Sequence, residues 1–93
     1  MKNFKLEYRP FPAEAQGVIF GFISSAGRVP RIMIDSTRDE QTQRKALRHE
    51  LAHLMLGHVD NLGAELGELE AEADAAAANM TEAELEALLQ WAI

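Results

Sequence analysis

The sequence predicts an α+β fold, with a small antiparallel sheet of about three strands followed by three helices. The first third of the 93-residue chain contains short segments that are apolar throughout or alternate between apolar and polar residues, as β-strands do. From about residue 37 onward, apolar residues recur every three or four positions, which is typical of amphipathic helices. No internal repeat or flexible linker divides the chain, so we expect a single domain over residues 1–93.

Three segments are predicted to form the sheet. Phe4–Arg9 alternates apolar and polar residues and ends at two nearby prolines. Val18–Ile23 is apolar and rich in residues that favour strands, so we expect it to be the central strand. Ser24–Arg28 is a plausible hairpin loop leading into the third segment, Val29–Asp35. Because Pro30 has no N–H to donate, we expect this third strand to lie at an edge.

The first helix is predicted between Thr37 and Gly57. Thr37 and Glu40 have the spacing of a capping box, in which each residue satisfies a backbone N–H at the start of a helix. Glycine is common just beyond the end of a helix. The apolar face of this helix consists of Leu47, Leu51, Leu54 and Met55.

Two further helices are predicted after a loop at Val59–Gly67, which contains two glycines and an Asp-Asn pair. The second helix ends at Asn79, and the third begins with Thr81 and Glu84 as its cap. Their apolar residues are Leu66, Leu69, Ala73, Ala76, Ala77 and Met80 in the second helix and Leu85, Leu88, Leu89 and Ala92 in the third. A helix of about 12 residues is marginal alone, so the last one should pack on its own chain or form a homodimer.

Composition excludes several classes of function. Cysteine is absent, which excludes disulfides, thiolate metal sites and a cysteine nucleophile. No Lys or Arg follows Arg48, whereas nine of the 15 acidic residues lie beyond residue 58, so we expect no nucleic acid partner. With no basic and apolar leader and no apolar run of ~18–20 residues, we expect a cytoplasmic protein without a membrane partner.

The segment His49-Glu50-Leu51-Ala52-His53 carries the strongest chemical signal. Histidines four residues apart lie ~40° apart on one face of a helix, which lets both bind the same zinc ion. Glu50 lies beside the pair, where its carboxylate could take a proton from water that zinc has acidified. The alternative is a pair of ordinary surface histidines, because both lie opposite the apolar face of the helix.

A catalytic zinc usually has three protein ligands. His58 follows the second histidine by five residues, on the apolar side, and could serve only if the helix ends sharply just before it. Glu70 and Glu72 lie about equally far from the apolar stripe of the second helix. Asp74, four residues after Glu70, could orient a ligand histidine through its other ring nitrogen. We therefore predict Glu70 as the third ligand with Asp74 supporting it, and Glu72, His58 or a merely solvated acidic face as alternatives.

These motifs together resemble the ImmA/IrrE-type zinc metallopeptidases. Arg31–Asp35 precedes His49–His58, which reads HELAHLMLGH and is similar to the family's strand followed by H-E-x-x-H-x-L-L-G-H. Glu70–Ala77 resembles the family's second motif, E-x-E-A-[ND]-x-F-A, with Ala76 in place of the usual phenylalanine. The resemblance covers about residues 29–78.

The resemblance implies a peptidase of the gluzincin type, with zinc bound by His49, His53 and Glu70 and with Glu50 as general base and acid. Family members include regulatory proteases that cleave repressors, which implies a protein or peptide substrate. In size the chain is closer to the minigluzincins, some of which are held latent by their own C-terminal segments. No residue stands out for stabilising an oxyanion, and the candidates are Tyr8 and His58.

The sequence thus favours a zinc endopeptidase whose extended substrate pairs with the predicted edge strand at Ile32, Met33 and Ile34. The alternatives are a catalytically silent zinc-binding interaction module, a latent form, or a hydrolase acting on a small amide. A purely structural zinc site has no use for Glu50, so its presence favours an enzyme.

Overall fold

The computed structural model describes residues 3–24, 29–57 and 66–93. For residues 66–68 it describes the backbone alone. The predicted α+β class is confirmed: strands β1 (Lys5–Arg9), β2 (Gly21–Ser24) and β3 (Arg31–Asp35) precede helices α1 (Glu40–Met55), α2 (Leu66–Asn79) and α3 (Glu82–Leu89). Residues 25–28 of the predicted hairpin loop lie outside the described residues. So do residues 58–65, which include His58 and most of the second predicted loop.

The sheet is mixed, whereas the sequence predicted an antiparallel one. Its strand order is β1-β3-β2, with β1 parallel and β2 antiparallel to β3. Leu6 and Ile23 lie opposite Ile32 from its two sides. Prolines follow β1 and the chain turns through residues 13–18 before β2, so β1 does not form a tight hairpin with β2. The chain instead leaves a gap between the two strands, and β3 fills it.

The predicted edge position of β3 is wrong, and with it the substrate edge at Ile32, Met33 and Ile34. β3 begins one residue after Pro30, so the missing proline N–H lies outside the ladder, and the Pro30 carbonyl accepts a hydrogen bond from the Lys5 N–H at 2.9 Å. Both isoleucines are fully buried, which suits the central strand. β2, predicted as central, is one of the two edge strands, and β1 is the other.

Helix α1 begins two residues later than a Thr37 cap would allow. Asp39 is the residue before the helix, and its carboxylate accepts a hydrogen bond from the Thr42 N–H at 3.3 Å. Thr37 instead donates its hydroxyl to the buried carboxylate of Asp35 at 2.8 Å. The predicted end is correct, since Gly57 follows α1 with a positive φ of 75°, a conformation that glycine adopts at little cost.

The core lies between one face of the sheet and the three helices. Its buried apolar residues are Phe4, Ile32, Ile34, Ala46, Leu47, Leu51, Ala52, Ala73, Met80 and Leu85. Ala73 is fully buried, and a residue this small allows α2 to lie close to its neighbours.

Helix α3 packs against its own chain. Its N-cap is Thr81, as predicted, and the hydroxyl accepts a hydrogen bond from the Glu84 N–H at 3.1 Å. Leu85 is buried in the core. The residues after α3 pair with the start of β1, because the Phe4 N–H donates to the Trp91 carbonyl and the Ile93 N–H donates to the Phe4 carbonyl. The C-terminal end is thereby held at the edge of the sheet opposite β2.

Candidate metal centre

Helix α1 separates its apolar and polar residues so that one face builds the core and another faces a cleft. Leu47 and Leu51 point into the core, while His49 and His53 lie partly buried on the other side. The two imidazole rings meet edge to face, with their centroids 4.7 Å apart and their planes at 84°. The spacing of four residues therefore brings two ring nitrogens to one point, as the sequence motif requires.

Helix α2 adds a carboxylate to this pair. The Nε2 atoms of His49 and His53 lie 3.1 Å apart, Glu70 Oε2 lies 2.9 Å from His49 Nε2, and Glu70 Oε1 lies 3.0 Å from His53 Nε2. Nitrogen and oxygen ligands of a tetrahedral zinc lie about 3.3 Å from one another when each is 2.0–2.1 Å from the metal. Two imidazoles and one carboxylate are a donor set that suits zinc, so these three residues fit the group that their spacing predicts.

Asp74 contacts the opposite nitrogen of His49. Its Oδ1 atom lies 2.9 Å from His49 Nδ1, one helical turn beyond Glu70 on α2. A carboxylate at this position favours the tautomer with the proton on Nδ1, which leaves the Nε2 lone pair directed toward Glu70 and His53. This contact is compatible with the orienting role that the sequence predicts for Asp74, and the role itself stays a prediction.

Glu50 is the buried acid beside these groups. Only 8% of the residue is exposed to solvent. The pKa of its carboxyl is raised to about 7, mainly by burial; the charge of His49 opposes the rise, and that of Glu70 adds to it. A carboxyl that titrates near neutral pH can both accept and return a proton under ordinary conditions.

Gly21 makes room for Glu50 against the sheet. A Cβ atom at this position would lie 2.9 Å from Ile34 Cδ1, 3.1 Å from the Met33 carbonyl oxygen and 3.5 Å from Glu50 Cγ. Any larger residue would therefore press on Ile34 and Met33 of the central strand and would come into van der Waals contact with Glu50. Sequence reasoning did not single out Gly21, although a glycine within an apolar strand is a recognised sign of close backbone approach.

Two of the candidate ligands, His49 and Glu70, line an open cleft of about 1030 Å³ between β2 and helices α1 and α2. One wall consists of the apolar segment Val18, Ile19, Phe20 and Gly21. The other walls come from α1 and from the region of α2. Their residues are Thr42, Lys45, Ala46, Arg48, His49, Glu50, Glu70, Asp74, Ala77, Ala78 and Met80. Small-molecule pockets usually measure about 300–1,000 Å³, so the cleft is large enough for a segment of polypeptide.

The other residues predicted for the site are not gathered here. Glu72 is exposed and, among the described residues, is not one of those that line the cleft or converge on the histidines. Tyr8 lies on β1, at the far edge of the sheet, and is likewise outside the cleft lining. His58 lies outside the described residues. Sequence reasoning missed the apolar wall, because Val18–Phe20 was assigned to a central strand.

Comparison with protein families identifies a family to which the chain is similar. Residues 2–91 match the peptidase family M78, described as the IrrE N-terminal-like domain. Searches of curated proteins and of solved structures returned no significant match. The match covers both motifs and nearly the whole chain.

Proposed function

This chain belongs to the IrrE N-terminal-like family of M78 peptidases, a metallopeptidase-type domain, and on that premise we propose that it is a zinc-dependent endopeptidase. Its substrate would be a protein or an extended peptide, and a repressor-type regulator would suit the family resemblance. A single observation carries the proposal: the two histidines and Glu70 converge on one point, and His49, Glu70 and the buried Glu50 line a cleft open to solvent.

The proposed metal ligands are His49, His53 and Glu70. Zinc held there would supply Lewis-acid activation of water and of the scissile carbonyl. Glu50 is not one of the three converging ligands, so its carboxylate would be available to accept a proton from the attacking water and pass it to the leaving amine. Asp74 would keep the His49 ring in the tautomer that leaves Nε2 free for the metal.

The free edge of β2 would position the substrate, in place of the Ile32–Ile34 edge that the sequence suggested. The Asp35 N–H donates to the Phe20 carbonyl, so by the alternation of antiparallel pairs Gly21 and Ile23 direct their backbone groups away from β3. Within the part of the chain that the structure describes, β2 pairs only with β3. An extended peptide could add to this edge beside the metal ligands.

The decisive comparison is between the wild-type chain and Glu50→Gln, both loaded with zinc and incubated with a whole-cell protein extract. Glutamine has nearly the same shape but cannot accept the proton, so it should retain zinc and fold while losing hydrolysis. Mass spectrometry of newly formed N-termini measures cleavage, metal analysis measures zinc content, and circular dichroism checks the fold.

We expect new N-termini with the wild type and none with Glu50→Gln at equal zinc content. Equal cleavage by both proteins would remove Glu50 from the mechanism. Stoichiometric zinc without cleavage by either protein would contradict the peptidase proposal and favour the non-catalytic zinc-binding module or a latent form.

A further inference from the structure

The charged residues that line the cleft differ in whether they have a partner of opposite charge. Glu70 and Asp74 contact the ring nitrogens of His49, and Glu50 is buried at the base. Arg48, one of the two cations in the lining, is bound through its guanidinium to Glu82 at the start of α3. Lys45 is the other cation, and it forms no ion pair with any part of the chain that the structure describes.

Lys45 lies on the same stripe of α1 as the metal site. It precedes His49 by four residues, which is one helical turn, or about 6 Å along the helix axis. Residues with this spacing are neighbours on a helix surface. An extended peptide advances about 3.3 Å per residue, so Lys45 lies about two substrate residues from the metal ligands.

The wall of the cleft on the β2 side is apolar. Val18 is 75% exposed, and Ile19 and Phe20 are each exposed by about two-fifths, at 43% and 41%. Covering such side chains removes apolar surface from water and stabilises the complex with a partner. A substrate that covers them also removes water from the cleft, which strengthens the attraction between Lys45 and an opposite charge and penalises a like charge.

We propose that Lys45 determines specificity by binding an acidic side chain of the substrate, which lies within two residues of the scissile bond and next to an apolar residue held by Val18–Phe20. The inference rests on the proposed peptidase function of the site. It names the substrate class as apolar and acidic segments of polypeptide. Lys45 binds substrate and takes no part in the proton transfers.

The test uses fluorescent peptides of extended, apolar sequence, with Glu, Gln or Lys placed in turn at each of the central positions. kcat/KM is measured for the wild type, Lys45→Met and Lys45→Glu. Lys5→Met serves as the matched control, because Lys5 is an exposed lysine on β1 outside the cleft lining. Zinc content and melting temperature are recorded for every variant.

We expect the wild type and Lys5→Met to prefer Glu to Gln at one of these positions by about tenfold, and we expect salt to weaken the preference. Lys45→Met should abolish the preference, and Lys45→Glu should reverse it toward the Lys peptide, with zinc content unchanged. A preference for Glu that survives in Lys45→Met, or a wild type that does not distinguish Glu from Gln, would overturn the inference.

Binding provides a second measurement that does not depend on hydrolysis. Fluorescence anisotropy of the same Glu and Gln peptides, with the zinc-loaded Glu50→Gln variant as the binding protein, reports the contribution of Lys45 directly. A Glu preference in binding that Lys45→Met removes supports the inference even if the wild type cleaves none of the peptides, a result that would count against the peptidase proposal alone. Equal binding of both peptides contradicts the inference whether or not cleavage occurs.

Discussion

At the scale of single residues, the choice among the candidate third ligands depends on where the carboxylates lie around α2. Glu70 places one oxygen near each histidine, at 2.9 and 3.0 Å, and Asp74, one turn later, contacts the other ring nitrogen of His49. Glu72 faces about 200° away from Glu70 on an ideal helix. The periodicity of the sequence could not separate the two acids. The contacts of Glu70 with both histidines of α1 do separate them.

We predict that Glu70→Ala weakens zinc binding by more than the 10–100-fold typical of a residue that only supports a ligand. Glu72→Ala serves as the matched control on the same helix, and His58→Ala tests the remaining alternative. The measurement is a competitive zinc titration against a chromophoric chelator. The assignment fails if Glu70→Ala binds zinc like the wild type while one of the other two variants does not.

Asp35 is the one fully buried carboxylate among the described residues. Burial opposes its ionisation, but hydrogen bonds from the backbone and hydroxyl of Thr37, from the Phe11 N–H and from Arg38 outweigh this effect and lower its pKa to about 2. These bonds join the end of β3 to the chain before α1. Asp35 thereby helps to set where the helix with the two histidines begins.

The lowered pKa predicts acid sensitivity. An unfolded Asp titrates near pH ~3.9, so the ionised Asp35 stabilises the fold fully above that pH, and the contribution disappears as the pH falls from about 4 to about 2. Asp35→Asn should therefore be less stable than the wild type near neutral pH, and the difference in free energy of unfolding should shrink with acidification. Urea unfolding between about pH 3 and 7 measures this, with the exposed Glu14→Gln as a control that follows the wild type throughout. A difference that stays constant with pH would contradict the prediction.

At the scale of secondary-structure elements, the contact between β2 and α1 determines how closely Glu50, the proposed general base, approaches the sheet. The space between Gly21 and its neighbours Ile34, the Met33 carbonyl and Glu50 has room for a hydrogen atom but not for a larger side chain. Packing of this density does not absorb an additional methyl group without displacing a neighbour. The Ile34 side chain and the backbone at Met33 have to give way, and both belong to the central strand.

Gly21→Ala should destabilise the fold by ~1–3 kcal/mol, the usual cost of overpacking. In a domain of this size that corresponds to a fall in melting temperature of roughly 4–8 °C per kcal/mol. Peptide hydrolysis should decline further than the loss of folded protein explains, with zinc affinity retained, because the strand that has to shift packs beside Glu50, and none of the three ligands is among the nearest neighbours of the added methyl group. Ser24→Ala, in the same strand, is the matched control. Full activity per folded molecule in Gly21→Ala would exclude a positioning role.

Helix α3 illustrates how much of an element can be inferred from its pattern. Its cap and its buried Leu85 were both predicted, and its leucines meet the core of the same chain. The homodimer through this helix stays a prediction, with the exposed Trp91 and Ile93 as the apolar residues that a second copy could cover.

At the scale of the whole molecule, a metal ion would join parts of the fold that are distant in sequence. His49 and Glu70 belong to different helices and are 21 residues apart, with residues 58–65 between the helices. None of the helices described is long and apolar enough to span a membrane. A chain of about 90 residues buries only a modest core, so a link between α1 and α2 should matter to its stability.

Zinc should therefore raise the melting temperature, and a chelator should reverse the rise. Binding to the folded state alone contributes about 2.7 kcal/mol when free zinc is 100 times its dissociation constant. Glu50→Gln should retain the full shift and His53→Ala should lose it, since only the second removes a proposed ligand. Differential scanning fluorimetry with and without zinc measures the effect. An equal shift in His53→Ala would show that zinc stabilises the protein through another site.

The sequence by itself determined the order of strands and helices, the bounds of the helices to within a few residues, and the grouping of His49 with His53. These features depend on local periodicity and capping, which are written in consecutive residues. It also predicted that Asp74 lies on the same face as Glu70, because the two residues are four positions apart in one helix.

Only the tertiary structure decided which strand is central, where the apolar wall of the cleft lies, and which acid of α2 meets the histidines of α1. Strand pairing and helix packing bring together residues far apart in the sequence, and an apolar strand has the same pattern at the centre or at the edge of a sheet. Pro30 indicated an edge, yet it lies one residue outside the ladder of β3 and removes no bond from it. Placement of that kind follows from the contacts of the whole chain, which no short segment of the sequence encodes.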